Sequence, residues 1–536
     1  MDYNKAEMSL VGKVGRKRPR AIAAMSIVYL ILTIGALTTL YPFLTMLTTG
    51  FKGNTDQNDN KLIPSFWSDF AELESKYVDD KYAGNASWIA SAANTDKATP
   101  ATLAEFEEFL AQLPADQWLA GFTTPSTNVT SRLNRAWQAW LRTKYKTVED
   151  VNAAFNEING AFQQVTPPPE RLDDPAWNPK QDQKWADWLE FKKTLPAEFR
   201  IPISSQRLYQ EFLRTRYKNQ LGDVPKEIPF RTPEGAIPDF SQSRLVSTSK
   251  QPQDQIDFFA SALPKPFQEN GTIERQWMNW VATSNNPSVT ATDTLPIAAF
   301  DTHYLRQNEK SIRSEFTWRN YIYVLDYILL NGRAVANTII FCGLMILIQL
   351  TVNPLAAYAL SRFPMKSTGK ILLFLLATMA FPAEVAMIPS FLLLKDLNLL
   401  NTFAALVLPA AASGYMIFLL KGFFDSLPQE IFESGQIDGA PEWLMMLRLA
   451  FPLSKPVLGY LALLAFMGSY GAFIYAFLVA QNREMWTLMV FIYQLQLTAP
   501  KAIVMAAVTL AALPTLVVFF FAQNVIMRGI VLPGER

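Results

Sequence analysis

Cysteine and histidine are almost missing from this 536-residue chain, which holds one of each. A lone cysteine excludes a disulfide framework, and with a lone histidine there is no Cys/His zinc site and little material for a histidine-dependent triad. An excess of one charge is lacking too. Lys and Arg number 48 against 47 Asp and Glu, a net charge of +1, which argues against a nucleic-acid binder. No G-x-x-x-x-G-K-[ST] phosphate loop occurs, and the nearest fragment, Gly12-Lys13, has neither the spacing nor a preceding strand. ATP hydrolysis by this chain is therefore not expected. Nor is there a nucleophile–base constellation that would mark an enzyme.

What the chain does have is apolar length. The mean hydropathy of +0.08 averages long apolar runs near the ends with a polar, aromatic-rich middle. Ala21 to Phe51 carries no charged side chain. About 20 apolar residues cross a bilayer as a helix, so this run is long enough, and it is too long for the core of a cleaved signal peptide. Five more runs follow. Ala334–Leu360, Thr402–Leu420, Pro456–Ala480 and Ala502–Met527 are uncharged, and Ile371–Leu394 carries only Glu384. The expected fold is an all-α polytopic membrane protein with six transmembrane helices.

Basic residues orient it. Lys5, Lys13, Arg16, Lys17, Arg18 and Arg20 precede the first run. On the same side fall Arg362, Lys366, Lys370, Lys421, Arg448, Lys455, Arg528 and Arg536, against Lys395, Arg483 and Lys501 on the other. By the positive-inside rule both termini are cytoplasmic. The expected organisation is a basic tail at 1–20, a first span at 21–51, an extracytoplasmic insert at 52–325, five further spans within 326–530, and a cytoplasmic tail at 531–536.

The insert holds 11 of the 13 tryptophans. An aromatic pattern recurs at Phe106-Phe109-Leu110, Trp137-Trp140-Leu141, Trp185-Trp188-Leu189, Tyr209-Phe212-Leu213 and Trp277-Trp280-Val281, at the spacing of one helical face. Two copies extend to WQAWLRTKYK from Trp137 and YQEFLRTRYK from Tyr209. Short amphipathic helices joined by Pro-rich connectors are expected. Their rings either form the insert's own core or stack on sugars, and the core is the preferred reading. A sequon at Asn85 has no meaning in a bacterial host.

Within the runs, Glu384 lies between Pro382 and Pro389, roughly 20 Å along a helix from Ile371 at 1.5 Å per residue. It is either an intramembrane functional carboxylate or a group at a proline-broken helix end. Asn337, Gln349, Asn353 and Ser413 are expected to tie helices together, and Pro409 and Pro514 to mark kinks.

The segment from Leu420 to Pro456 reads as a bent pair of short amphipathic helices. Ser426 is expected to cap the first, with Pro428 in its first turn and Ile431, Phe432 and Ile437 as its apolar members. Gly439 supplies a left-handed stop. Pro441 starts the second helix, with Trp443, Leu444, Leu447 and Leu449 on its apolar side, and Pro452 and Pro456 end it. Such an element suits docking into a groove on a soluble partner.

On these residues the chain resembles the permease subunits of ABC importers, whose cytoplasmic EAA loop reads E-A-A, three residues, G, nine residues, then I-x-L-P. Here stand Glu433-Ser434-Gly435, Gly439 and Leu449-Ala450-Phe451-Pro452. Asp438-Gly439-Ala440 is similar to the carbohydrate type. Asn337-Thr338, Ala357 to Phe363, Leu399 to Thr402 and Pro514 resemble the maltose-type branch. Ser434 and Gly435 depart from the two alanines and imply a less rigid first helix. The resemblance covers roughly residues 20–52 and 325–530.

It implies alternating access driven by a separate ATPase subunit pair that holds the ATP, so this chain needs no cofactor or metal of its own. Glu433, Asp438, Gly439, Ala440, Leu449 and Pro452, within a loop at 421–455, would meet that ATPase. A second permease subunit, an extracytoplasmic solute-binding protein, a sugar substrate and the lipid of a bacterial cytoplasmic membrane are the other implied partners, with no nucleic acid. The insert would be an independent domain contacting the binding protein. A stand-alone secondary transporter or a membrane-anchored ligand sensor are the alternatives.

Overall fold

The computed structural model describes residues 19–84, 98–123, 130–174, 177–230, 239–246, 250–284, 288–289, 294–330, 333–363, 365–380 and 382–529. Most of the basic tail at 1–20, the Asn85 sequon and the tail at 531–536 lie outside the described residues.

Three apolar helices are long enough to cross a membrane unbroken: Met25–Thr49, Ala334–Arg362 and Lys501–Gln523. Two bent pairs raise the number to five among the described residues, Phe403–Ala410 with Gly414–Asp425 at 52° and Glu442–Leu453 with Lys455–Tyr470 at 84°. The expected run Ile371–Leu394 is no single helix. It is divided into Thr368–Met379 and Ala383–Asp396, because Pro382 has no N–H to continue the ladder. The run Pro456–Ala480 also divides, at Gly471, into Lys455–Tyr470 and Ile474–Val479. A further apolar helix, Leu488–Thr498, lies in an uncharged stretch, Met485–Pro500, that is shorter than the about 20 residues a span needs. Pro409 sits at the 52° bend, whereas Pro514 lies inside an unbroken helix.

Two discontinuities, the bend at Ala410–Ser413 and the segment Glu484–Leu488, are patched from one helix, Ala334–Arg362. Gln349 Nε2 donates to the Ala410 carbonyl at 2.8 Å, and Asn353 Oδ1 accepts the Ser413 N–H at 2.8 Å. Asn337 Nδ2 donates to the Glu484 and Trp486 carbonyls at 2.7 and 3.0 Å, and Thr338 Oγ1 accepts the Leu488 N–H at 2.8 Å. The expected tying role of these polar residues is what the structure shows.

The insert is helical, with one antiparallel strand pair, Trp118–Ala120 and Arg200–Pro202. Its recurring aromatics are its own core: Phe106, Trp137, Trp188, Tyr209 and Trp277 are all fully buried in one cluster running from Phe66 to Phe316. Helix Pro100–Gln112 leads through Leu113-Pro114-Ala115-Asp116 into the first strand, and helix Gln183–Lys192 leads through Leu195-Pro196-Ala197-Glu198 into the second. Counted from the leucines, Leu119 and Ile201 are equivalent positions, and they pair with each other. The flanking bonds match as well. Gly121 N–H donates to Phe199 O, as Ile203 N–H does to Gln117 O. The Trp118 indole and the Arg200 guanidinium each cap the leucine carbonyl five residues back. A local two-fold axis therefore passes through the Leu119–Ile201 pair.

The two long repeats explain how units join. They lie on helices Arg132–Lys144 and Ser205–Arg216, which end on Tyr145 and Tyr217. Tyr145 OH donates to Asp187 at 2.7 Å while Lys144 pairs with Asp187 and Glu190. Tyr217 OH donates to Asp254 at 3.0 Å while Arg216 pairs with Asp254 and Asp257. A third copy closes the domain: Lys81 and Tyr82, ending helix Phe70–Lys81, both bind Asp301 from near the insert's far end. Burial first, and the carboxylate with it, pushes all three tyrosine hydroxyls up, which keeps them donors.

The insert is fastened to the spans by helix Glu309–Leu330. Tyr321 OH donates to the Leu47 carbonyl at 2.8 Å, Asn320 Nδ2 donates to Gly50 O and Lys52 O, and Arg319 pairs with Asp80. Gly50 is required here, since a Cβ would lie 2.5 Å from Tyr321 OH.

The clamps give a stability prediction. Asp187→Ala strands the half-buried Tyr145 hydroxyl and leaves Lys144 only Glu190, and is expected to cost about 1–3 kcal/mol. Glu190→Ala, at a carboxylate 60% exposed, should cost under about 1 kcal/mol. Denaturation of the purified full chain in detergent measures both; equal effects would contradict the clamp.

Candidate coupling site

The loop between the spans is built from its turn outward. Helix Gln429–Ile437 ends in two nested bonds, Gly439 N–H to Gln436 O at 3.0 Å and Ala440 N–H to Gly435 O at 2.9 Å. This is a Schellman turn, and it needs the left-handed φ of +73° that Gly439 adopts. The expected stop is therefore present. The expected start differs. Ser426 closes the preceding helix, Gly414–Asp425, with Oγ donating to Phe423 O at 2.7 Å, and Pro428 itself occupies the cap position of the next. A chain leaving one helix within two residues of another gives the hydroxyl a nearer partner behind it than ahead.

The second helix runs Glu442–Met445, widens into a π turn at Met446–Ala450, and continues through Pro452 to Leu453. Pro452 cannot return a bond to the preceding turn, and the widened turn reaches it without a break. Buried Ser454, bonded to Ala450 O at 2.7 Å, then marks the 84° bend into Lys455–Tyr470.

The expected apolar side divides: Leu444 and Leu449 are half-buried, whereas Trp443 and Leu447 face outward. Met445, Met446 and Ala450 are buried with Phe432 against Tyr358, Leu420 and Phe424. Ile437, Trp443 and Leu447 point outward at 87, 62 and 47% exposure. Both faces of the helix are apolar, so periodicity alone had no way to choose between them. Gly435 also acquires a reason: a Cβ there would lie 3.0 Å from Met445 Sδ and 3.5 Å from Leu449 Cδ1. The missing methyl lets the two helices close on each other, beyond any loosening of the first.

Of the sequence candidates, Leu449 and Ala440 are half-buried in this packing, Glu433, Asp438 and Gly439 lie exposed around the turn, and Pro452 is exposed at the far end of the second helix. Glu384 stands apart. It is exposed in the first turn of helix Ala383–Asp396, directly after the break at Pro382, which matches the helix-end alternative.

Sequence reasoning gave no role to the residues that bind this element to a span. At the end of helix Ala334–Arg362, Tyr358 OH donates to Glu442 Oε2 at 2.9 Å, and the Arg362 guanidinium lies 3.6 Å over the Phe432 ring. Arg362 Nη2 donates to the Phe424 carbonyl at 2.8 Å, and Ser361 Oγ donates to Asp425 Oδ1 at 2.7 Å. The signal was a cluster of hydrogen-bonding side chains closing an otherwise apolar run. Both short helices are thus held to the same helix end.

A family model described as the binding-protein-dependent transport system inner membrane component matches residues 353–531, which include the whole loop and leave out the insert. Protein LplC of Bacillus subtilis strain 168 is 32% identical over 205 residues, covering 35% of this chain and 69% of that protein. The arabinooligosaccharides transport system permease protein AraQ of Halalkalibacterium halodurans is 26% identical over 225 residues, 42% of this chain and 81% of AraQ. The sn-glycerol-3-phosphate transport system permease protein UgpE of Yersinia pestis is 31% identical over 206 residues, 37% of this chain and 73% of UgpE. Sequence, loop geometry and relatives agree: the chain belongs to the inner-membrane components of binding-protein-dependent transport systems, and is a membrane-spanning permease subunit of an ABC importer.

Proposed function

We propose that this subunit carries a saccharide or a related polyol derivative across the bacterial cytoplasmic membrane through six crossings, with both termini in the cytoplasm. The substrate class is supported by relatives whose names specify arabinooligosaccharides and sn-glycerol-3-phosphate. The sixth crossing is the proline-broken pair Thr368–Met379 and Ala383–Asp396. No fragment of a phosphate loop with the needed spacing occurs, so the energy comes from an ATPase subunit pair.

One observation carries the mechanism: a rigid turn presents apolar side chains outward while its inner face is bonded to a span. Ile437, Trp443 and Leu447 offer the apolar anchors that a groove on an ATPase would bury, with Glu433 and Asp438 at the rim. When the ATPase pair closes, the displaced turn pulls on Tyr358 and Arg362, and helix Ala334–Arg362 moves with it. That helix also holds its neighbours' breaks, so the inward-open and outward-open arrangements exchange as a body. A second permease subunit completes the pathway. A solute-binding protein delivers substrate from outside, and the insert, with most of its described tryptophans packed into its own core, serves as a docking domain for it.

Gly439→Asp is expected to insert into the membrane and co-purify with the ATPase, since an added Cβ meets nothing there and the strain of the left-handed φ of +73° falls on the turn alone. Substrate-stimulated ATP hydrolysis in reconstituted vesicles should fall severalfold, and full stimulation would remove the coupling assignment. Arg362→Ala uncovers the Phe424 carbonyl and the Phe432 ring, a loss of about 2 kcal/mol. The ratio of substrate moved to ATP hydrolysed should drop while ATPase binding persists. Deleting residues 60–310 should leave membrane insertion intact and weaken binding-protein affinity; unchanged affinity would exclude the insert as the docking domain.

A further inference from the structure

The base of the insert carries an apolar stripe that no other described part of the chain covers. On helix Glu309–Leu330, Phe316, Arg319 and Val324 point into the protein, whereas Trp318, Ile322 and Leu325 are 50, 59 and 42% exposed. Their spacing of four and three residues sets them in one line along the helix. Trp67, 38% exposed and bonded to Thr317 on the same helix, extends the patch sideways. Trp67 has already satisfied its indole N–H on Thr317 Oγ1 at 2.9 Å, so what it turns outward is apolar ring.

The stripe joins a surface that is already in lipid. The Phe51 ring lies 5.4 Å from Trp318 and 5.5 Å from Trp67. Phe51 directly follows the first span, and none of the residues in that span's most apolar window is buried in the protein. The apolar surface of the first span therefore runs without a polar gap onto the base of the insert.

We propose that the Trp318–Ile322–Leu325 stripe, with Trp67, is seated in the outer interfacial layer of the bilayer, so that the insert rests on lipid beside the first span. Indole rings favour this layer, where the apolar body and the polar edge are both accommodated. Left in water, the same side chains would form a contiguous apolar patch of the kind that soluble domains avoid. Seating also fits the rigid junction, because Arg319, Asn320 and Tyr321 bond inward from the same two turns that present Trp318 and Ile322 outward. The proposal needs only that the chain spans the membrane, and is independent of the substrate it carries.

The test is collision accessibility of a nitroxide in the full chain, with its co-purifying subunits, in lipid nanodiscs. The buried cysteine is removed as Cys342→Ala, and the label is placed at Ile322→Cys, with Leu325→Cys as a second site should the first fail to fold. Leu32→Cys in the first span and Ile158→Cys, a fully exposed loop residue, are the lipid and water references. The ratio of oxygen to nickel-chelate collisions at 322 is expected several-fold above that at 158 and below that at 32. A ratio equal to the water reference would overturn the proposal. So would protection from both reagents, which would mean that another polypeptide covers the stripe.

Discussion

Hydrocarbon offers no water to a broken helix, so each backbone group released at a break has to find a partner within the protein. This constraint organises the membrane part of the molecule. The breaks at Ala410–Ser413 and near Glu484–Leu488 are answered by Gln349, Asn353, Asn337 and Thr338, all from helix Ala334–Arg362. That helix is a central post against which discontinuous neighbours are satisfied. The polar side chains that interrupt its apolar sequence are what make the irregular architecture affordable in lipid.

The same post ends at the coupling element. Tyr358, Ser361 and Arg362 hold both short helices and the end of Gly414–Asp425, so the element is not a loose loop between spans. Gly435 allows the helix pair to close, and Gly439 allows it to turn. A closed, turned pair presents a fixed apolar outer face, which is the property a mechanical contact requires. In the proposed mechanism, displacement passes through these side-chain bonds into the helix that also satisfies the bend at Ala410–Ser413.

The insert solves a different problem with repetition. It has no disulfide, and its core is assembled from short helices that would be marginal alone. Basic–tyrosine helix ends clamp a buried aspartate three times, twice onto the next helical unit and once across the domain's ends. The strand pair sits on the local two-fold that relates two of the units. Burying the aspartates makes each clamp costly to break, which gives a domain of small pieces a cooperative whole.

Much of the fold and part of the site were legible in the sequence, for identifiable reasons. Uncharged length marked where the chain enters the bilayer. Helical spacing showed that the insert's aromatics share faces, and the glycine at 439 showed where the loop turns, because each of these is a property of neighbouring residues. The division at Pro382, the outward face bearing Trp443 and the bonds from Tyr358 and Arg362 depended on which segments meet in space. Both faces of helix 442–453 are apolar, so only the packing of Met445 and Met446 against a distant helix chose the buried one. Local chemistry determined the elements and the turn; the choice of face and of fastening came from contacts between residues some 80 positions apart, which no local pattern encodes.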